Sequence, residues 1–281
     1  MIKVLRYEIS EIEPYINWLY FFHAWGLSGK PQAEKERMQH EALELLHSWQ
    51  GKYHSHAIFG LFSANSDGDD LVLRIGEHPA QNTCLRIPTL RQQHSSTNGQ
   101  PYLCLADFIR PASGGIEDKV GAFCTTVDGE ITEQYRHDEY LEMLAQTLCD
   151  RLAEGTAEKM HEEVRRNYWG YAPNEQLTME QTHREEYQGI RPAIGYPSLP
   201  DTSVNFILDQ LLNMKQVGVR LTETGMMIPH ASVSGLMFAH PKARYFELGK
   251  IGEDQLSDYA HRRGIPVEMM RRFLQSSLLR K

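Results

Sequence analysis

The chain has 281 residues, 41% of them apolar and 23% charged, with a formal net charge of −8. No apolar run reaches the roughly 20 residues of a membrane span, and an acidic chain with pI near 5.9 is not expected to take nucleic acid as its partner. The opening "MIKVLRYEIS" lacks the apolar core of a signal peptide, so a cytoplasmic location is expected.

In chain order, "IKVLRYEI" reads as a short strand. Pro14 to Leu27 is densely aromatic, and Gly29 can end a helix there. Residues 33–50 read as a helix, with Met38, Leu43, Leu46 and Trp49 at helical spacing. "HAIFGLFSA" predicts a buried strand, "SDGDD" a turn and "LVLRI" a second strand; "NTCLRI" and "KVGAFCTTV" extend the series. Short strands joined by turns point to an antiparallel sheet. One long helix is expected from about Glu133 to Asn167, where Leu141, Leu144, Leu148 and Leu152 share a face. "YWGYAPNEQLTMEQTHREEYQ" reads as a loop with a short helix, and "SVNFILDQLLNMK" as an amphipathic helix. The segment from Arg220 to Ile251 mixes apolar runs with Gly, Pro and Ser, as strands and turns do. "EDQLSDYAHRRG" and "PVEMMRRFLQ" close the chain as helices, with Gly264 placed to stop the first and Pro266 to start the second. With no repeat or linker, this is an α+β chain, most simply one domain over 1–281.

No nucleotide loop, metalloprotease helix or nucleophile elbow is present, so no catalytic residue is assigned. Cys84, Cys104, Cys124 and Cys149 form no CxxC and read as buried, reduced thiols. "YHSH" puts His54 and His56 on one face of a strand. Without a third placed ligand they read as edge histidines, and no metal is expected.

The stretch "GIRPAIGYPSLPD" combines Pro192, Pro197 and Pro200 with Gly189 and Gly195. Proline fixes φ and removes a donor, and glycine opens φ > 0, so the path is rigid and irregular. Arg191, ahead of a proline, sits on extended backbone. Its guanidinium suits a bidentate carboxylate contact, or an internal salt bridge. Tyr196 adds a flat ring and a hydroxyl, and backbone groups along "YPSLP" are expected to be free to read a heterocycle. "PHASVSG" (Pro229 to Gly235) offers small side chains under which either a ligand or another backbone can approach.

At these residues the chain closely resembles the C-terminal activation domain of cobalamin-dependent methionine synthase, whose hallmark R-P-A-x-G-Y-P loop stands here as Arg191 to Pro197. "YINWLYFFHAWGLSGK", "GLFSAN", "LRQQ", "YLCLADFI", "VGAF", "DRLAE", "YWGYAPNE", "EEYQGIRPAIGYP", "ASVSG" and "DYAHRRG" follow in family order across nearly the whole chain. The resemblance implies a helmet-like α+β unit, a twisted antiparallel sheet flanked by helices, that binds S-adenosylmethionine. In the family this domain is the last module of a much longer chain; the modules for homocysteine, methyltetrahydrofolate and cobalamin are absent from this sequence, so a standalone reactivation subunit acting on cobalamin carried by a separate synthase chain is expected. There, S-adenosylmethionine and an electron from a flavodoxin-like or other donor convert cob(II)alamin to methylcobalamin.

Carried over residue by residue, Arg191 would bind the ligand carboxylate and Tyr196 would lie beside the ligand. Backbone from Ala193 through Gly195 to Ser198 would bracket it. Glu154 and Glu185 would supply carboxylates for its cationic end or ribose hydroxyls, and Tyr245 and Phe246 would pack against it. Asn17 would contact the ligand too, where the family usually has Asp, so this is a departure, as is Leu199 to Thr202, where a histidine is lost. The chain departs again at Phe246 for tyrosine and at His230 for glycine. These departures keep a second reading open: a divergent S-adenosylmethionine-binding or interaction module that has lost reactivation or serves another corrinoid protein.

Overall fold

The structure, a computed structural model, describes residues 1–76, 83–94, 99 and 101–279. The elements run β1 (Ile2–Glu8), α1 (Ile9–Ile12), α2 (Trp18–Ala24), α3 (Gln32–Trp49), β2 (His54–Asp67), β3 (Asp70–Ile75), β4 (Thr83–Pro88) and β5 (Asp118–Val127). They continue with α4 (Glu130–Glu133), α5 (Glu139–Glu163), α6 (Met179–His183), α7 (Val204–Leu212), β6 (Arg220–Leu221), β7 (Met227–Ile228), β8 (Ser232–Met237), α8 (Glu253–Arg263) and α9 (Val267–Phe273).

The sheet is antiparallel, in the order β4-β3-β2-β5-β8. The long β2 carries β1 along residues 54–60 and β3 along residues 63–67, with β5 on its other edge. The continuous apolar runs of β2 and β5 follow from burial on both faces. Ile58 and its partner Cys124 face the cluster built with α7, while Phe59 and its partner Phe123 face the cluster built with α3 and α5. A third cluster joins Leu90 to α8 and α9. Helices thus cover both faces of a mixed-class α+β fold.

Two expectations are corrected. The helix expected over 133–167 is broken: α4 ends at Glu133, and the backbone restarts at Asp138, whose carboxylate accepts from the N–H groups of Tyr140 (3.1 Å) and Leu141 (3.0 Å). A side-chain cap of this kind satisfies donors that a continuous helix would already have used. Beyond Glu163 the helix widens into a π turn over Val164–Tyr168. Of the four free thiols, Cys104, Cys124 and Cys149 are buried but Cys84 is exposed, because it lies on the edge strand β4. Gly264 ends α8 at φ 65°, and Pro266 caps α9. Among the described residues no helix is long and apolar enough to cross a membrane.

Candidate functional site

The Gly189–Asp201 stretch docks as an irregular extra strand on β8. Ile190 and Phe238 exchange backbone hydrogen bonds at 3.0 and 2.9 Å, Leu236 N donates to Pro192 O (3.0 Å), and Ile194 N donates to Ser234 O (2.8 Å). The path then folds on itself through Gly195 N to Leu199 O (2.8 Å) and Leu199 N to Tyr196 O (2.9 Å). Most of its backbone is therefore engaged, which corrects the expectation of free groups along "YPSLP". Buried backbone must find partners, and the nearest are in β8 and in the turn itself.

The two openings left for "PHASVSG" resolve toward backbone approach. A Cβ built on Gly235 would lie 2.2 Å from Pro192 O and 2.9 Å from Ala193 Cα. Glycine is what lets the Arg191 loop sit on β8.

Between this loop, α2, α5 and the 245–247 segment lies an open cleft of about 650 Å³. α5 points Arg151, Glu154 and Glu158 into it, at helical i, i+3 and i+7 positions. α2 adds Tyr20 and His23, and the loop adds Arg191, Ala193, Tyr196 and Ser198. Glu185, Tyr245, Phe246 and Glu247 also line it. Four acidic residues and two arginines thus line it. Eight of the ten residues expected in the site line the cleft. Asn17 does not: it caps α2, its Oδ1 accepting from Leu19 N at 3.1 Å. Gly195 instead provides the turn, at φ 89°.

Arg191 is nearly buried and is ion-paired to Glu158, so its salt-bridge option is realised in this structure. The guanidinium lies 5.6 Å from the Phe123 ring centroid. Burial opposes its charge, and Glu158 more than restores it, so it stays protonated. Its backbone N–H donates to the Tyr245 hydroxyl at 2.8 Å. Tyr245 meets the Tyr187 hydroxyl at 3.1 Å, and the Tyr187 ring lies 4.2 Å under Arg165.

Arg165, fully buried in the π turn, is held by Glu175 at 2.6 Å and donates to His161 Nδ1 at 2.8 Å. Burial, Arg165 and Arg191 hold His161 well below the usual histidine range, so the ring is neutral. A guanidinium can only donate, so the remaining ring proton sits on Nε2, toward the Tyr171 hydroxyl.

Glu154 is chelated by Arg151 (2.9 and 3.1 Å) and accepts weakly from the Tyr196 hydroxyl (3.3 Å). Burial still pushes its carboxyl up, against Arg151 and Tyr196. Glu185 stands at φ 59°; burial and then the neighbouring Glu158 raise it, against Arg191. Sequence reasoning missed Arg151, Glu158, Tyr20, His23 and Glu247. The signal for the α5 pair was available, since Arg151 and Glu158 share the face of Glu154.

Elsewhere, His56 Nε2 meets Asp128 at 2.7 Å and His54 Nε2 meets Glu8 at 3.0 Å. Both histidines lie on β2 where β1 and β5 flank it, which corrects the expectation of edge histidines; each ring is held by a carboxylate from a neighbouring segment. Among the described residues no group of three or more His, Cys, Asp or Glu is placed to hold a metal ion. Asp201, at the loop's exit, is buried and accepts from Ser203 N (2.9 Å), Tyr259 OH (2.9 Å) and Arg263 Nε (3.3 Å).

Comparison with known proteins adds two findings. The family model described as vitamin B12 dependent methionine synthase, activation domain, matches residues 8–264. A crystal structure of the MetH reactivation domain bound to AdoHcy is similar, with a TM-score of 0.92 and 37% sequence identity; the match covers 100% of this chain and 91% of that one.

Proposed function

The chain belongs to the family of activation domains of vitamin B12 dependent methionine synthase, and we propose that it binds S-adenosylmethionine in the Arg191 cleft and supports reactivation of the cobalamin of methionine synthase. The observation that carries the reading is the cleft's charge layout: a nearly buried arginine beside a surplus of carboxylates and the rings of Tyr196, Tyr245 and Phe246. This donor set fits a nucleoside with a cationic sulfur and an amino-acid tail. AdoHcy, bound by the related reactivation domain, differs from S-adenosylmethionine by the sulfonium methyl.

In this reading Arg191 holds the ligand carboxylate with charge-assisted hydrogen bonds. Glu154 and Glu185 face the sulfonium or the ribose hydroxyls, and the aromatic rings pack against the nucleoside. The bound ligand supplies a methyl group, and a flavodoxin-like or other external donor supplies one electron, for conversion of cob(II)alamin to methylcobalamin. The chain itself binds and orients.

The test has two stages. Calorimetry with S-adenosylmethionine measures binding to the wild type and to Arg191→Ala, where a loss of about 2–3 kcal/mol is expected. The chain is then added, with ligand and reductant, to a cob(II)alamin-loaded synthase fragment lacking this module, and methylcobalamin is followed by its absorbance. Binding without methylcobalamin favours the divergent binding module. Absence of binding eliminates both readings.

A further inference from the structure

Two ion pairs lie in the cleft, and they differ in completeness. In the first, both oxygens of Glu154 are engaged by Arg151, and Tyr196 adds a third donor. In the second, Arg191 and Glu158 meet through Nη2 and Oε1 alone. Arg191 Nε and Glu158 Oε2 are both buried with no hydrogen-bond partner. Arg151 Nε is also unpartnered, but both oxygens of the carboxylate it faces are engaged. Leaving a buried donor or acceptor unmade is costly, and native folds rarely do so without a purpose.

The Arg191–Glu158 pair leaves over one cationic donor and one anionic acceptor. An α-amino acid carries the complement of both on a single carbon, a carboxylate to accept and an ammonium to donate. Of the neighbouring carboxylates, Glu154 already accepts three hydrogen bonds, against one for Glu158. Glu185 is a poorer acceptor for a cation, because burial and Glu158 itself favour its neutral form.

We propose that Glu158 receives the α-ammonium group of the ligand while Arg191 receives the carboxylate, so that Glu158 makes the site select an amino-acid tail over a simple acid. The proposal rests on the nucleoside reading above. Before the ligand arrives, Glu158 holds the guanidinium in place. On binding, the pair opens enough for the ligand's two charges to complete it.

The test uses AdoHcy and its desamino analogue, in which hydrogen replaces the α-amino group, titrated calorimetrically into the wild type, Glu158→Gln and Glu158→Asp. The wild type is expected to prefer AdoHcy by on the order of 10- to 100-fold, the worth of one charge-assisted hydrogen bond. Glu158→Gln is expected to weaken AdoHcy by at least about 10-fold and the analogue by less than about 3-fold, so the preference collapses. Glu158→Asp, which keeps the charge, is expected to restore most of it. Parallel loss of both ligands in Glu158→Gln would show that Glu158 only braces Arg191 and would overturn the proposal. An unchanged preference would overturn it equally. A wild type that binds neither ligand removes the nucleoside reading itself, whereas a wild type that binds both equally removes only the role of Glu158.

Discussion

The hydroxyl of Tyr245 accepts the backbone N–H of Arg191 at 2.8 Å. Residues on either side of Arg191 pair with β8, at Ile190 and Ala193, but the Arg191 N–H is served by a side chain 54 positions later. Tyr245 is joined through Tyr187 to the buried Arg165, which Glu175 holds. The guanidinium at the cleft floor is therefore positioned by a polar stack rooted in the π turn after α5. Truncating Tyr245→Phe leaves the Arg191 N–H without its acceptor. We expect a loss of about 2 kcal/mol of stability in urea unfolding, with weaker nucleoside binding in calorimetry. Unchanged stability would mean that the N–H finds another acceptor.

Gly235 controls how closely the loop can lie on the sheet. A methyl group there meets Pro192 O at 2.2 Å and the Phe123 ring at 2.8 Å, and neither backbone nor packed ring can yield cheaply. Gly235→Ala is expected to cost about 1–3 kcal/mol by overpacking. It should also displace Arg191 and lower ligand affinity, while the far-ultraviolet circular dichroism stays that of the wild type. A variant with wild-type melting and binding would show that the loop is free to lift.

Much of this was legible before the structure. Alternation, turn residues and helical spacing placed the strands and most helices, because buried strands and amphipathic helices follow local rules. The break between α4 and α5 was not placed, since Asp138 acts as a cap only once the chain bends there. The site was legible where rigid sequence carries it, at Arg191 to Pro197. Glu158 stayed hidden because a charge on a helix face looks solvated until the opposing loop is known. The capping role of Asn17 was hidden for a like reason: its Oδ1 accepts from Leu19 N only because the chain turns into α2 there.

The surplus of carboxylates makes binding of a cationic ligand depend on pH. Burial holds Glu154 and Glu185 above the usual carboxylate range, near 4.3. A carboxyl raised in the fold adds stability that is full below about 4.3 and lost as pH rises through the folded value. Ionised, the same groups favour a sulfonium. Lowering the pH from neutrality through the range in which these raised carboxyls take up protons should thus neutralise part of the cleft and weaken S-adenosylmethionine more than AdoHcy, whose sulfur is neutral. The ratio of the two affinities, measured by calorimetry across that range, is expected to fall. A constant ratio would place both carboxylates away from the sulfur.

The exit of the loop is anchored by Asp201, which is buried and serves Ser203 N, Tyr259 OH and Arg263 Nε at once. Arg263 also donates to Ser203 Oγ at 2.8 Å, so one ion pair ties the start of α7 to the end of α8. Leu199 to Thr202 departs from the family pattern, yet this carboxylate is fully used. Removing it strands a nearly buried guanidinium and a buried phenol, and such a break costs about 3–5 kcal/mol. Asp201→Ala is expected to show that loss in urea unfolding. The double variant Asp201→Ala, Arg263→Met should lose less than the sum of the single changes, because the second removes the charge that the first leaves unpaired. Strict additivity in that cycle would mean that Asp201 and Arg263 do not act as a pair, and that Tyr259 and the Ser203 N–H alone hold the exit of the Arg191 loop.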